Sequence, residues 1–172
     1  MGNKGVYRTR MAVADGGELI ILAPGVKAFG ENEEMDRMTR TYGYKGRDYV
    51  LKLFNEGAFE NRIMAAAHLI QGSSDGRFTI TYCTRPENLS KEDINTVGYE
   101  WMDYEEAAAL YNPHTLKEGW NTLEMEKKFI LLKLLPWIVE SRLMLSDFSG
   151  MLDTGPKDCL LARSSLGSCY LF

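Results

Sequence analysis

Hydrophobic and polar positions along residues 1–124 switch between the period of a strand and that of a helix. Leu19-Ile20-Ile21-Leu22-Ala23 follows Gly16-Gly17-Glu18 and precedes Pro24-Gly25. A short apolar run bounded by such signals predicts a buried strand. Strands apolar on both faces are typical of parallel sheets covered by helices on either side. A loop from Pro24 to Gly30 comes next.

Glu31 to Tyr42 predicts a helix, with Glu31, Glu33 and Glu34 in its first turn and Arg40 near its end, as the helix dipole favours. Met35, Met38 and Tyr42 share one face, and Gly43 can cap the end. A second helix is expected from Asp48, a good N-cap, through Val50, Leu51 and Phe54 to Gly57. A third is expected from Glu60 to Gln71, with Ile63, Ala66, Ala67 and Ile70 as its apolar stripe. Gly72 to Gly76 reads as a loop. Arg77 to Cys83 alternates, with Phe78, Ile80 and Tyr82 against Thr79 and Thr81, so one face is expected to be less buried. Ser90-Lys91-Glu92-Asp93 resembles a capping box. Gly98 to Trp101 is a candidate strand. Asp103 caps a helix from Tyr104 to Tyr111, which Asn112-Pro113 ends. The order β-α-α-α-β-α-β-α predicts an α/β fold: a three-layer domain with a mainly parallel sheet and flanking helices.

Composition narrows the classes. The chain has 172 residues, 45% hydrophobic and 26% charged, which excludes a disordered, collagen-like or coiled-coil protein. That length suits one domain better than two. The net charge of −4 disfavours a nucleic-acid-binding surface. The longest apolar run, Phe129 to Val139, is interrupted by Lys133 and falls short of the roughly 20 residues of a membrane span. Met1-Gly2-Asn3-Lys4-Gly5 has no apolar core of a signal peptide. Cys83, Cys159 and Cys169 form no CxxC pair and no even-numbered framework, so a reducing, cytoplasmic compartment is expected.

The averages hide a boundary near residue 124. Residues 1–124 carry 14 basic and 19 acidic residues, and residues 125–172 carry 6 and 5. The first stretch is punctuated like a folded domain. The second opens on Met125-Glu126-Lys127-Lys128 and an apolar run, then loses sustained periodicity.

Few residues carry a chemical signal. Lys27 lies in the loop after the first strand, and ligands of open α/β sheets bind outside the carboxyl ends of the strands. It can hold a substrate carboxylate there, although position alone reads first as a solvated loop lysine. His68 follows three alanines and can be a base or a ligand. A lone histidine in an apolar helix is more often a satisfied, partly buried side chain. His114, after Asn112-Pro113, reads as a plain loop residue, and two histidines so far apart give no metal spacing. Gly72 to Gly76 can cradle an anion but lacks any Gly-rich fingerprint, so a connector is the simpler reading. That lack also counts against a small nucleotide-binding protein. Trp120 can wall a pocket or simply pack, and Cys83 shows no signal of an activated thiolate.

Longer strings carry a resemblance. Arg8-Thr9-Arg10-Met11-Ala12, then Ala14 to Lys27 with Phe29-Gly30-Glu31, resemble the C-terminal domain of lactate racemase-like proteins. The match continues through Tyr42-Gly43-Tyr44, Ala65 to Ser74, Gly76-Arg77-Phe78 and Ile80 to Cys83, and ends at Gly119-Trp120-Asn121-Thr122-Leu123. It covers most of residues 4–124. The family implies a two-domain isomerase that inverts C2 of a small 2-hydroxy acid with a nickel-pincer nucleotide. A histidine takes the hydroxyl proton while hydride passes to the cofactor and returns to the other face of the planar keto acid. By the resemblance, the cofactor lysine, the nickel ligand and the catalytic histidines belong to an N-terminal domain, and none of those motifs occurs in this chain.

The resemblance therefore implies a substrate-closing domain, partnered by that N-terminal catalytic domain. Alone it is expected to be inactive and to hold no cofactor and no metal. Lys27, as the electrostatic partner of the substrate carboxylate, and His68 are the expected catalytic-site residues. Gly25 and Trp120 are the expected substrate-binding ones. The alternative is a non-catalytic interaction module that docks on a separate N-terminal subunit.

Family members continue past Asn-Thr-Leu with an acidic, Gly-containing turn, a strand and a Pro-containing loop, and this chain departs at Met125. Codons for Met125 to Phe129 can be ATG GAG AAG AAA TTT, which read Asp-Gly-Glu-Glu-Ile when displaced by one base after a G. Phe129 to Lys133 can likewise read Ile-Tyr-Ile-Ile-Lys, an alternating strand. Residues 125–172 are thus expected to be a frameshifted tail, the alternative being a genuine helix from Glu126 to Trp137. Sequencing the gene across codon 124 tests this. An in-frame family ending after a one-base shift is the expected result, and its absence contradicts the idea.

Overall fold

The computed structural model describes residues 3–60, 62–112 and 115–122, and the backbone of two further strands, 128–132 and 168–171. The elements run α1 (Asn3–Thr9), β1 (Glu18–Leu22), α2 (Glu33–Tyr42), α3 (Arg47–Asn55), α4 (Ile63–Gln71), β2 (Thr79–Thr84), α5 (Lys91–Thr96), β3 (Glu100–Asp103), α6 (Tyr104–Leu110), β4 (Gly119–Thr122), β5 (Lys128–Leu132) and β6 (Ser168–Leu171). The sheet order is β3-β2-β1-β6-β5-β4. β1, β2, β3, β6 and β5 are parallel to their neighbours, and β4 alone runs antiparallel, against β5. The expected α/β fold with a mainly parallel sheet is what forms.

β1 sits inside the sheet and alternates its side chains between two cores. Leu19 and Ile21, with Ile80 and Tyr82 of β2, pack in a cluster fed by Val6 of α1, Met38 of α2, Val50 of α3, Ala65, Ala66 and Leu69 of α4, and Ile94 of α5. Ile20 and Leu22, with Cys83, face the other way, against Ala107 of α6 and Tyr111. Helices therefore cover both faces, which gives the three layers.

Several local expectations hold. Gly43 ends α2 at φ +69°, where a side chain would be strained, although the helix begins at Glu33 rather than Glu31, behind Asn32, whose side chain accepts the Met35 amide at 2.8 Å. The Ser90–Asp93 capping box is complete. Asp103 accepts the amides of Glu105 and Glu106 at the start of α6.

Other expectations are corrected. α3 begins at Arg47 behind Gly46, and Asp48 lies inside its first turn. α4 begins at Ile63 rather than Glu60. Its buried face is Ala65, Ala66 and Leu69, whereas Ile63 is 66% exposed. The side that packs with Met38 of α2 and Val50 of α3 in the core is the one carrying Ala65, Ala66 and Leu69. β2 has no open face beyond its first residue, because α6 covers Cys83 and the Thr81 hydroxyl donates to Glu18 Oε1 at 2.7 Å. α1 was not signalled by periodicity. It is fastened by Arg10, which donates to the Ile70 carbonyl at 2.7 Å and pairs with Asp75.

Lys128 to Leu132, assigned to a helix in the alternative reading of the tail, forms strand β5 instead. Most of the remaining tail, with the proposed frameshift segment around Met125 to Lys127, lies outside the described residues, as does His114. Among the described residues no helix is long and apolar enough to cross a membrane.

Candidate functional site

The three strands β1, β2 and β3 end at one edge, where Leu22 pairs with Cys83 and Thr84 with Asp103. The segment Pro24–Gly30 leaves that edge. It has no regular secondary structure, yet it is held along its length. The Ala23 amide donates to the Cys83 carbonyl at 2.9 Å, and the Val26 amide to the Ala23 carbonyl at 3.2 Å. Asn88 Nδ2 donates to the Pro24 carbonyl at 2.7 Å. At the far end Phe29 is buried, 6% exposed. Its amide donates to Asp36 Oδ1 at 2.7 Å, and the Arg40 guanidinium lies 5.2 Å from its ring centroid. Gly30 follows, pressed on α2 so closely that a Cβ would lie 2.5 Å from the Asp36 amide nitrogen.

Between these anchors Gly25, Lys27 and Ala28 are exposed. Among the described residues Lys27 makes no hydrogen bond and no ion pair. A cation on a fixed loop, without an internal carboxylate, is free to meet an anion from outside.

His68 serves a different purpose. Its Nε2 lies 3.0 Å from the Tyr44 hydroxyl and 3.4 Å from Asn3 Nδ2. Burial lowers the His68 pKa, against the opposing pull of Glu31 and of a backbone hydrogen bond to Phe29. Burial raises the Tyr44 and Tyr99 phenols, so both stay protonated. The Tyr99 hydroxyl reaches Asn3 Oδ1 at 3.0 Å and the Gly72 carbonyl at 2.5 Å, and its ring stacks on Tyr44 at 4.7 Å. His68 is thus a satisfied member of a buried joint that touches the Lys27 loop through Phe29.

Trp120 is 38% exposed on β4, three strand spacings from β1 in the sheet order, or about 14 Å at the usual separation. The structure places it away from Lys27. Cys83 is buried and its thiol is pushed up to about 12 by that burial, so it is no nucleophile. The loop Gly72–Gly76 is a connector: Asp75 accepts the Arg47 amide at 2.7 Å and pairs with Arg10. A cleft of about 190 Å³ lined by Tyr44, Thr79, Tyr99 and Glu100 opens at the amino edge of the sheet, opposite the Lys27 loop. Sequence reasoning did not single out Asp36, Asn88 or Tyr44. Only Asp36 left a trace, as an i,i+4 partner of Arg40.

No protein-family model matches the chain, and no curated protein matches it. Among solved structures, a crystal structure of a protein from Thermotoga maritima is similar, with 26% identity and a TM-score of 0.50. The likeness covers 61% of this chain and 27% of the Thermotoga chain. It supports the α/β fold, and this chain spans about a quarter of the length of that protein.

The joint yields a stability test. A Cβ on Gly72 would fall 2.3 Å from Tyr44 Cε1 and 2.7 Å from Asn3 Nδ2, whereas one on Gly25 would meet nothing within 4 Å. Gly72→Ala is expected to lower stability by about 1–3 kcal/mol through overpacking, and Gly25→Ala to stay within about 0.5 kcal/mol of the parent. Urea unfolding measures both, and equal midpoints would contradict the packing described.

Proposed function

We propose that this chain is the substrate-closing C-terminal domain of a lactate racemase-like isomerase acting on a small 2-hydroxy acid. The observation that carries the reading is Lys27: an unpaired cation on a loop fixed at both ends, at the carboxyl edge of a parallel sheet. The resemblance of the surrounding strings to that family supplies the chemistry. The Thermotoga likeness adds that a similar fold occurs as one part of a longer chain.

In this reading Lys27 binds the substrate carboxylate and so fixes which way C2 and its hydroxyl face. An exposed lysine–carboxylate pair contributes only about 0–1 kcal/mol. Closure against an N-terminal domain removes water and strengthens the same pair. Lysine suits the task as a compact point charge that does not demand a bidentate geometry. His68, within hydrogen-bond distance of Tyr44 and Asn3, belongs to a packed joint and is assigned no substrate proton. Gly25 leaves room beside Lys27, since beyond its chain neighbours nothing lies within 4 Å of where its Cβ would be.

The family's nickel-pincer nucleotide supplies the hydride acceptor when bound. Among the described residues no three His, Cys, Asp or Glu side chains are grouped to hold a metal. These residues do not fit a nickel site, and the reading assigns that group to the N-terminal domain.

Mixing this chain with an N-terminal half that carries the cofactor tests the proposal. Racemisation of a 2-hydroxy acid is expected, with Lys27→Ala lowering kcat/KM at least about 100-fold, as for one partner of a desolvated charge pair. Chiral chromatography of the product reads the outcome. Binding of the two halves without turnover would instead support an interaction module.

A further inference from the structure

We infer that Asp36 is the positioning residue for Lys27: its carboxylate holds the substrate-facing loop against α2 in the geometry that presents the lysine. The inference rests on the reading of Lys27 as the carboxylate-binding group. Asp36 sits in the first turn of α2 and uses both oxygens. Oδ1 accepts the Phe29 amide at 2.7 Å, and Oδ2 accepts Arg40 Nε at 2.8 Å. Arg40 also pairs with Asp93, the capping-box residue of α5, and lies over the Phe29 ring. One carboxylate thus couples the loop to two helices.

The reach of the side chain matters. Phe29 and Gly30 lie directly on the start of α2, where the missing Cβ of Gly30 leaves room for the Met35 and Asp36 backbone. An aspartate spans that short gap, and a glutamate would push the loop outward by about one methylene. Lys27 is two residues from the Phe29 anchor and one from Val26, whose amide is bound to Ala23. Without the Asp36 acceptor, the Phe29 amide loses its partner and the far end of the exposed tip is held only by the burial of the Phe29 side chain. Errors of about 1 Å in such a placement lower kcat/KM by up to about 100-fold.

The experiment has two arms, each with the full chain as parent, Asp36→Ala and Asp36→Asn. Asparagine keeps an oxygen for the Phe29 amide and loses both the charge and the acceptor that Oδ2 offers Arg40 Nε, since its Nδ2 can only donate. In the first arm, ¹⁵N relaxation is measured at Val26, Lys27 and Ala28. The parent and Asp36→Asn are expected near the rigid order parameter of about 0.85, and Asp36→Ala below about 0.6. In the second arm each variant is joined to the cofactor-bearing N-terminal half, and racemisation of lactate is followed. Asp36→Ala is expected to raise KM about tenfold with a smaller change in kcat, and Asp36→Asn to stay within about threefold of the parent. If the parent racemises lactate while Asp36→Ala keeps both its KM and an ordered loop, the positioning role is overturned alone. An Asp36→Asn variant that behaves like Asp36→Ala overturns the amide-acceptor role and leaves the Arg40 charge pair as the cause. A parent with no turnover overturns the functional reading, and the role assigned to Asp36 with it.

Discussion

A strand with no solvent face constrains everything around it. Leu19, Ile20, Ile21 and Leu22 are all buried, so β1 needs a layer on each side and a neighbour on each edge. Helices α1 to α5 serve one face and α6 the other, while β2 and β6 satisfy its two edges. Parallel pairing then forces β1, β2 and β3 to end at the same edge. The first backbone to escape this packing is the segment after Leu22, and that is where the candidate site forms.

The escape is only partial. Within seven residues the chain is caught again by Asn88, Asp36 and the burial of Phe29. Backbone that would otherwise sample many conformations is held through side chains from elsewhere in the fold. This is the arrangement expected where binding geometry must be set in advance, since ordering a loop at the moment of binding lowers affinity. The joint of Asn3, Tyr44, His68 and Tyr99 ties α1 and α4 to the backbone that precedes α3 and β3.

Much of the fold could be read from residue order because its signals are local. The apolar run of β1, the Gly43 end of α2, the Ser90–Asp93 box and the Asp103 cap each act within about four residues. The failures are places where distant contacts decide. The buried side of α4 depends on which neighbours its alanines touch. The second face of β2 depends on α6, and α1 and the residue after it are held by residues 60 and 65 positions away. The Lys27 loop was legible as a candidate from its place after β1. Its clamp was not, since Asn88 and Pro24 are 64 residues apart, and Asp36 by itself looks like any acidic first-turn residue. His68 was legible as a satisfied histidine, but its partners Tyr44 and Asn3 were not.

The central claim is that the fold fixes Lys27 where a substrate carboxylate will meet it. The most direct measurement is a crystal structure of this chain assembled with the N-terminal catalytic half that the proposal assigns to it and a bound 2-hydroxy acid. The account predicts Lys27 Nζ within about 4 Å of the carboxylate, the usual limit of an ion pair, with the Phe29 amide still on Asp36. A carboxylate held entirely by other residues, with Lys27 turned to solvent, would contradict it.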